Sequence, residues 1–301
     1  MDILNTFADD VLTIDISIKS IDGVLDFCRF TKLEKLDCNC NNITNIINLP
    51  VSIQILICGR NQINKFDNLP RLLRVFHCDN NQITKLENLP NSLEELICRV
   101  NCITELDNLP NSLKLLHCDS NQILKLDNLP NSLEELNCGC NPITQLNNLP
   151  ISLLKLLCLY SPVCSLDNLP KSLVHLDCRK TEVSQLSNLP NSLVYLDCSK
   201  CDNITSLDKL PSNLKVLSCY ECKISSLDNL TNSLEYLDCR TCSNITKLNN
   251  LPNTIKIILC AGTNIKSFDK LPNSLEELCC GSYNYELTND IKMKYPHIKI
   301  N

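Results

Sequence analysis

The chain has 301 residues, a formal charge of −6, 44% hydrophobic and 4% aromatic residues, no tryptophan and 22 cysteines. Mild acidity argues against a nucleic-acid partner, which calls for a basic stripe, and no apolar run approaches the roughly 18 residues of a membrane span. Five glycines are few for this length, so the turns must rest on Asn, Asp, Ser and Pro, each with turn chemistry of its own.

At the N-terminus, acids at Asp9 and Asp10 and no basic stretch ahead of an apolar core predict that no secretory leader is present. The expected location is therefore intracellular, in a reducing compartment where disulfides are uncommon. Residues 2–10 are expected to form a short helical cap. Val11, Ile14 and Ile16 read as a degenerate first strand, 22 residues ahead of Leu33, Leu36 and Cys38. Residues 1–30 are thus a cap and a degenerate first repeat.

Residues 31–286 repeat. Leu-Pro recurs from Leu49–Pro50 to Leu189–Pro190 with a period of 20, and continues at Leu210–Pro211, Leu230–Thr231, Leu251–Pro252 and Leu271–Pro272, so that two later units have 21 residues. A fixed period of this length is the signature of a repeat array. Within one unit, Leu93, Leu96 and Cys98 form L-x-x-L-x-C. Alternation from Leu96 to Cys98 is a strand period with both side chains on one face. So short a strand cannot bury that face alone, and copies must stack in parallel. Asn41, Asn61, Asn81, Asn101, Asn121 and Asn141 follow the cysteine column by three residues, where stacked amides can bond the backbone of neighbouring coils as a ladder. Ile43, Ile63, Ile83, Ile103, Ile123 and Ile143 then turn inward. The return path Leu-x-Asn-Leu-Pro is expected to be extended, because proline fixes its own φ and pushes the preceding residue towards extended geometry.

This unit resembles the leucine-rich repeat signature L-x-x-L-x-L-x-x-N/C-x-L, with cysteine in place of the third leucine. Its Leu-Pro return is similar to the short repeats of secreted bacterial effectors. The wording Asn-Leu-Pro-x-Ser-Leu-x-x-Leu-x-Cys resembles repeat proteins of giant amoeba-infecting DNA viruses. The resemblance covers about residues 11–287. It implies a leucine-rich repeat solenoid: parallel β on a concave face, an extended, polyproline-like convex side, few or no full helices, and a single curved array with terminal caps. The viral likeness implies the host cytoplasm.

Beyond the repeats, residues 287–301 form the C-terminal cap. Leu287 to Lys294 leaves the pattern, and Tyr295 to Ile300 reads as a closing strand. No linker and no second domain are expected.

One cysteine column runs from Cys38 every twentieth residue to Cys198, then Cys219, Cys239, Cys260 and Cys280. A free cysteine packs as a small hydrophobe. Cys198-x-x-Cys201, Cys219-x-x-Cys222 and Cys239-x-x-Cys242 match zinc-ribbon spacing. Their register puts the first cysteine in the core column and the second at the ladder position, and parallel copies do not readily converge four ligands tetrahedrally. Packing is the expectation, with no metal and no cofactor; zinc is the alternative. Of the cysteines outside both columns, Cys40, Cys140 and Cys279 are expected to be the more accessible. The histidines His77, His117, His175 and His297 stand in no repeating Cys–His–acid arrangement, so no nucleophile is nominated and exposure on the strand face is expected.

Function in a solenoid lies at the positions the repeat leaves free. Ile55, Ile57, Ile97, Leu115, Leu157, Leu159 and Tyr160 put apolar groups on the strand face. Further on, His175, Tyr195, Tyr220 and Tyr236 lie beside Asp177, Asp197 and Asp238, flanked by Arg179 and Arg240. Tyr with Arg is the composition of an interface hot spot, and three like charges in one column repel, which a basic partner would relieve. The first reading is a non-enzymatic scaffold binding a protein partner through the concave strand face. The effector resemblance implies a second, action on host ubiquitin or signalling pathways through a recruited enzyme, since about fifteen residues follow the last repeat and the N-terminus is too short for an F-box. The third is a structural or virion-packaged repeat protein with no specific partner.

Overall fold

A computed structural model of the chain describes residues 3–268, 270–281 and 285–301. It divides into two compact units, Met1–Ile143 with Asn148–Leu153, and Thr144–Asn147 with Leu154–Asn301. The strand face of the first unit is built from β1 (Thr13–Asp15), β3 (Lys35–Asp37), β5 (Ile55–Ile57), β6 (Val75–His77), β7 (Glu95–Ile97), β8 (Leu115–His117) and β9 (Glu135–Asn137), adjacent in that order and all parallel. On the return side, β2 (Asp22–Asp26) pairs with β4 (Asn42–Ile47), with an irregularity between Gly23 and Val24. The strand face of the second unit contains β10 (Lys155–Leu157), β11 (His175–Asp177), β12 (Tyr195–Asp197), β13 (Val216–Ser218), β14 (Tyr236–Asp238), β15 (Ile257–Leu259), β16 (Glu277–Cys279) and, after the helix α1 (Tyr285–Lys294), β17 (Lys299–Ile300).

Register is one coil per strand without slippage: Phe76 stands opposite Leu96, and Leu96 opposite Leu116. The central residue of each repeat strand is buried, as is the cysteine two residues on from Cys38 to Cys260, while Cys280 is half-buried; in one coil Leu93, Leu96, Cys98 and Ile103 are fully enclosed, and the return leucines Leu106 and Leu109 close the other side. Pairing continues past the strand ends, Cys58 N donating to His77 O at 2.8 Å and Cys78 N to Ile97 O at 2.8 Å. Strands of three residues persist within each unit because they are hydrogen-bonded to neighbouring coils and bury a continuous apolar column.

Asparagine side chains satisfy the turn of each coil in the first unit. Asn61 Nδ2 donates to Cys38 O (3.1 Å) in the coil before and Cys58 O (3.0 Å) in its own, while Oδ1 accepts from Ile43 N at 2.9 Å. Asn81, Asn101, Asn121 and Asn141 repeat this arrangement, and Asn41 reaches Ile16 O and accepts from Lys19 N and Ile21 N. In the second unit the same position holds Ser161, Thr181, Cys201, Cys222, Cys242 and Thr263. The thiols of Cys201, Cys222 and Cys242 donate to Cys178 O, Cys198 O and Cys219 O at 3.1–3.2 Å. A thiol offers no acceptor comparable to an amide oxygen. Where the coil has 21 residues, the extra one lets the turn close on itself, with Ile204 N donating to Cys201 O and Ile245 N to Cys242 O.

A second ladder stands at the entry to most repeat strands, where the serine before the first core leucine donates to the coil before: Ser92 to Leu73 O, Ser112 to Leu93 O, Ser192 to Leu173 O and Ser233 to Leu214 O, all at 2.6–2.7 Å. Column reasoning from apolar spacing passed over it, although the repeated serine was its signal.

The return path carries neither helix nor strand after β4 among the described residues of the repeats. The ends depart from the sequence reading. Ile3–Thr6 forms a single 3-10 turn, and Met1 and Asp2 of the expected cap lie outside the described residues. The C-terminal segment contains the ten-residue α1, whose last hydrogen bond reaches the first residue of the expected closing strand: Tyr295 N donates to Ile291 O at 2.8 Å, and only Lys299–Ile300 is extended.

Candidate interaction surface

In the second unit, the strands β11 to β14 lie side by side, with His175 opposite Tyr195, Tyr195 opposite Val216 and Val216 opposite Tyr236. The pleat sends these side chains away from the core leucines, and all four are half-buried. His175 and Tyr195 stack face to face, with ring centroids 4.0 Å apart and planes within 5°. Tyr220, one residue past its core cysteine, has Lys200 Nζ at 5.5 Å and Arg240 Cζ at 5.6 Å from its ring centroid, which is cation–π distance.

Asp177, Asp197 and Asp238 do not form the open anionic column that their spacing suggested. They are buried at 6%, 8% and 4% exposure, and arginines from the same coils cover Asp177 and Asp238. Arg179 Nε donates to Asp177 Oδ1 and Oδ2 at 2.9 and 3.0 Å, and its Nη2 to Oδ2 at 2.6 Å. Arg240 Nε and Nη2 grip Asp238 at 2.9 and 2.7 Å. The reason is local. Two residues after an outward-facing Asp, the chain turns so that an arginine folds back over the carboxylate as a bidentate fork. Asp197 has Ser199 instead, its Oδ1 accepting from Ser199 N and Oγ, with Arg179 Nε 3.5 Å from Oδ2. The repulsion expected to favour a basic partner is thus already relieved within the chain, and the charge turned outward is guanidinium. Burial pushes the Asp197 carboxyl up from its ordinary value, against the lowering effect of Ser199. Burial also raises the Tyr195 and Tyr236 phenols, and the Asp177 and Asp238 carboxylates, by hydrogen bonding, raise Arg179 and Arg240.

In the first unit, Ile55, Val75 and Leu115 line a cavity of about 330 Å³ with Gln54, Arg74, Glu94, Glu95 and Lys114. Arg74 Nε meets Glu94 Oε1 at 2.9 Å on its rim. Ile57 and Ile97 are half-buried in the adjoining column, as are Leu157 and Leu159 in the second unit, where Tyr160 is exposed. His77 and His117 are not simply exposed: His77 Nε2 lies 2.6 Å from Glu95 Oε1, and His117 Nε2 2.9 Å from Glu135 Oε1. These pairs cross to the next coil on a diagonal that single-column reading does not follow.

Among the described residues, no group of three His, Cys, Asp or Glu side chains is arranged to hold a metal ion, and no helix is long and apolar enough to cross a membrane. Cys140 is exposed and Cys40 and Cys279 are half-buried, while Cys28, Cys102 and Cys164 are also exposed.

Single-strand parallel coils, an asparagine ladder and a helix-poor return define a parallel β-solenoid with a variable strand face. The chain belongs to the leucine-rich repeat family. It is similar to YopM from Yersinia pestis, described as a leucine-rich effector protein, with 30% identity and a TM-score of 0.77 over 90% of this chain and 78% of that one. YopM from Yersinia enterocolitica matches at 26% identity and a TM-score of 0.68, over 91% and 69% of the two chains. The functional domain of InlJ from Listeria monocytogenes, which includes a cysteine ladder, matches at 29% and 0.72, over 89% of this chain and 62% of that one. No family model and no curated protein matches the chain.

Proposed function

We propose that this chain is a non-enzymatic scaffold that captures a protein partner on the strand face from His175 to Arg240. The observation that carries this reading is the aromatic and guanidinium cluster of His175, Tyr195, Tyr220, Tyr236, Arg179 and Arg240. The carboxylates beneath it hold its arginines in place. Rigid Tyr and Arg side chains lose little entropy on contact, which is why they dominate interface energetics. A chain with seven tyrosines has three of them here.

The test replaces Tyr195, Tyr220 and Tyr236 together by Ala and compares affinity capture from cell lysate. Loss of a partner that the unaltered chain recovers, with an unchanged melting curve, supports the site; equal recovery rejects it. The identity of that partner decides a second reading. Similarity to YopM supports an effector acting on host signalling or ubiquitin pathways through a recruited enzyme, and recovery of such an enzyme is its expected result.

A further inference from the structure

The acids of this face are buried and its arginines are not. Side-chain exposure is 44% for Arg179 and 45% for Arg240, against 8% and 6% for Asp177 and Asp238. Each carboxylate occupies the Nε and Nη2 edge of its guanidinium, and no protein acceptor meets Nη1 of either arginine among the described residues. A guanidinium held on one edge keeps its fork geometry and offers its remaining donors to an incoming carboxylate.

Spacing then selects the ligand. Arg179 follows β11 and Arg240 follows β14, three strand steps away. At roughly 4.8 Å per step, that is about 14 Å. An extended peptide rises about 3.4 Å per residue and sends every second side chain to the same side, so residues i and i+4 also stand about 14 Å apart. Residue i+2 falls midway, between the β12 coil with Tyr195 and Ser199 and the β13 coil with Val216 and Tyr220. Tyr220, with two cations against its ring, and half-buried Val216 suit an apolar side chain there.

We propose that the β11–β14 face binds an extended acidic peptide segment of its partner, laid across the strands, with carboxylates at i and i+4 on Arg179 and Arg240 and an apolar residue at i+2. This rests on the interaction role proposed above and reverses the charge that the aspartate spacing alone implied.

The probe is a fluorescein-labelled, capped seven-residue peptide with glutamates at its second and sixth positions and leucine at its fourth, titrated with the full chain by anisotropy. Saturable binding is expected. It should weaken about tenfold or more when the second glutamate is moved one position closer to the first, because one fork then loses its carboxylate. The same loss is expected in the paired variant Asp177→Asn with Arg179→Gln, which keeps a neutral hydrogen-bonded pair and leaves Asp197 its two bonds from Ser199. A melting curve matching the unaltered chain excludes misfolding, and Arg240→Lys, which retains charge but not the fork, should give an intermediate loss. Equal affinity for the shifted peptide, or an unaffected paired variant, overturns the proposal. So does absence of binding, and if the triple tyrosine variant then still loses its lysate partner, the interaction role stands and only the acidic-peptide assignment falls.

Discussion

The side-chain amide of Asn101 donates to the main-chain carbonyl of Cys78 at 3.0 Å, across 23 residues of sequence. The same Nδ2 reaches Cys98 O at 3.0 Å, and Oδ1 accepts from Ile83 N at 3.0 Å. With a longer bond to Arg99 O at 3.3 Å, one buried side chain thus meets four backbone groups in two coils. Asn101→Ala should destabilise the protein by roughly 3 kcal/mol or more, since each buried group left unmet costs about 1–3 kcal/mol. Chemical denaturation checks this, and a loss below 1 kcal/mol would mean that water replaces the amide.

The serine ladder skips a rung at Leu72, which is 49% exposed. Leu72→Ser should add a hydroxyl donor to the Ile53 carbonyl in the register of Ser92 and Leu73. A gain of about 1 kcal/mol is expected, read as a raised denaturation midpoint at unchanged slope.

Val100 holds a φ of 53°, a left-handed conformation that a β-branched residue adopts only under strain. The neighbouring coil has Asn80 at the equivalent place with a φ of 52°. Val100→Asn should therefore stabilise by about 1 kcal/mol, provided the Val100 N to Asp119 O bond is kept. Thermal unfolding of the variant tests this.

Burial raises the Asp119 carboxyl above its ordinary 3.8. A group raised in the folded state contributes stability that is complete below its unfolded pKa and is lost as pH rises through the folded value. Asp119→Asn should accordingly match the unaltered protein below pH 3.8 and exceed it in stability at pH 7. Its side-chain oxygen can still accept from Asn137 Nδ2, now 2.9 Å from Asp119. Denaturation at both pH values checks the sign; a variant less stable at pH 7 refutes it.

Burial pushes the core thiols well up, Cys58, Cys78, Cys98, Cys118 and Cys138 among them, and the thiolate is the reactive form. Maleimide labelling of the native chain, read by peptide mass spectrometry, should reach Cys102, Cys140 and Cys164. Cys28 should react more slowly because its hydrogen bond to Asp26 raises it. The buried cysteines of the core column, Cys38 to Cys260, should react only after denaturation.

The Leu-Pro period, the L-x-x-L-x-C alternation and the Asn position were readable in the chain because each depends on spacing within one coil, where the backbone period alone decides which side chain turns inward. The sequence by itself therefore determined the family, the parallel stacking and the buried columns. What the outward side chains do with one another was decided only in three dimensions. Arg179 folding over Asp177 and His77 crossing to Glu95 both join side chains through rotamers and burial that no column records. Those contacts turned a column of aspartates into a face of arginines, because a carboxylate that accepts a bidentate fork from its own coil no longer presents its charge to a partner.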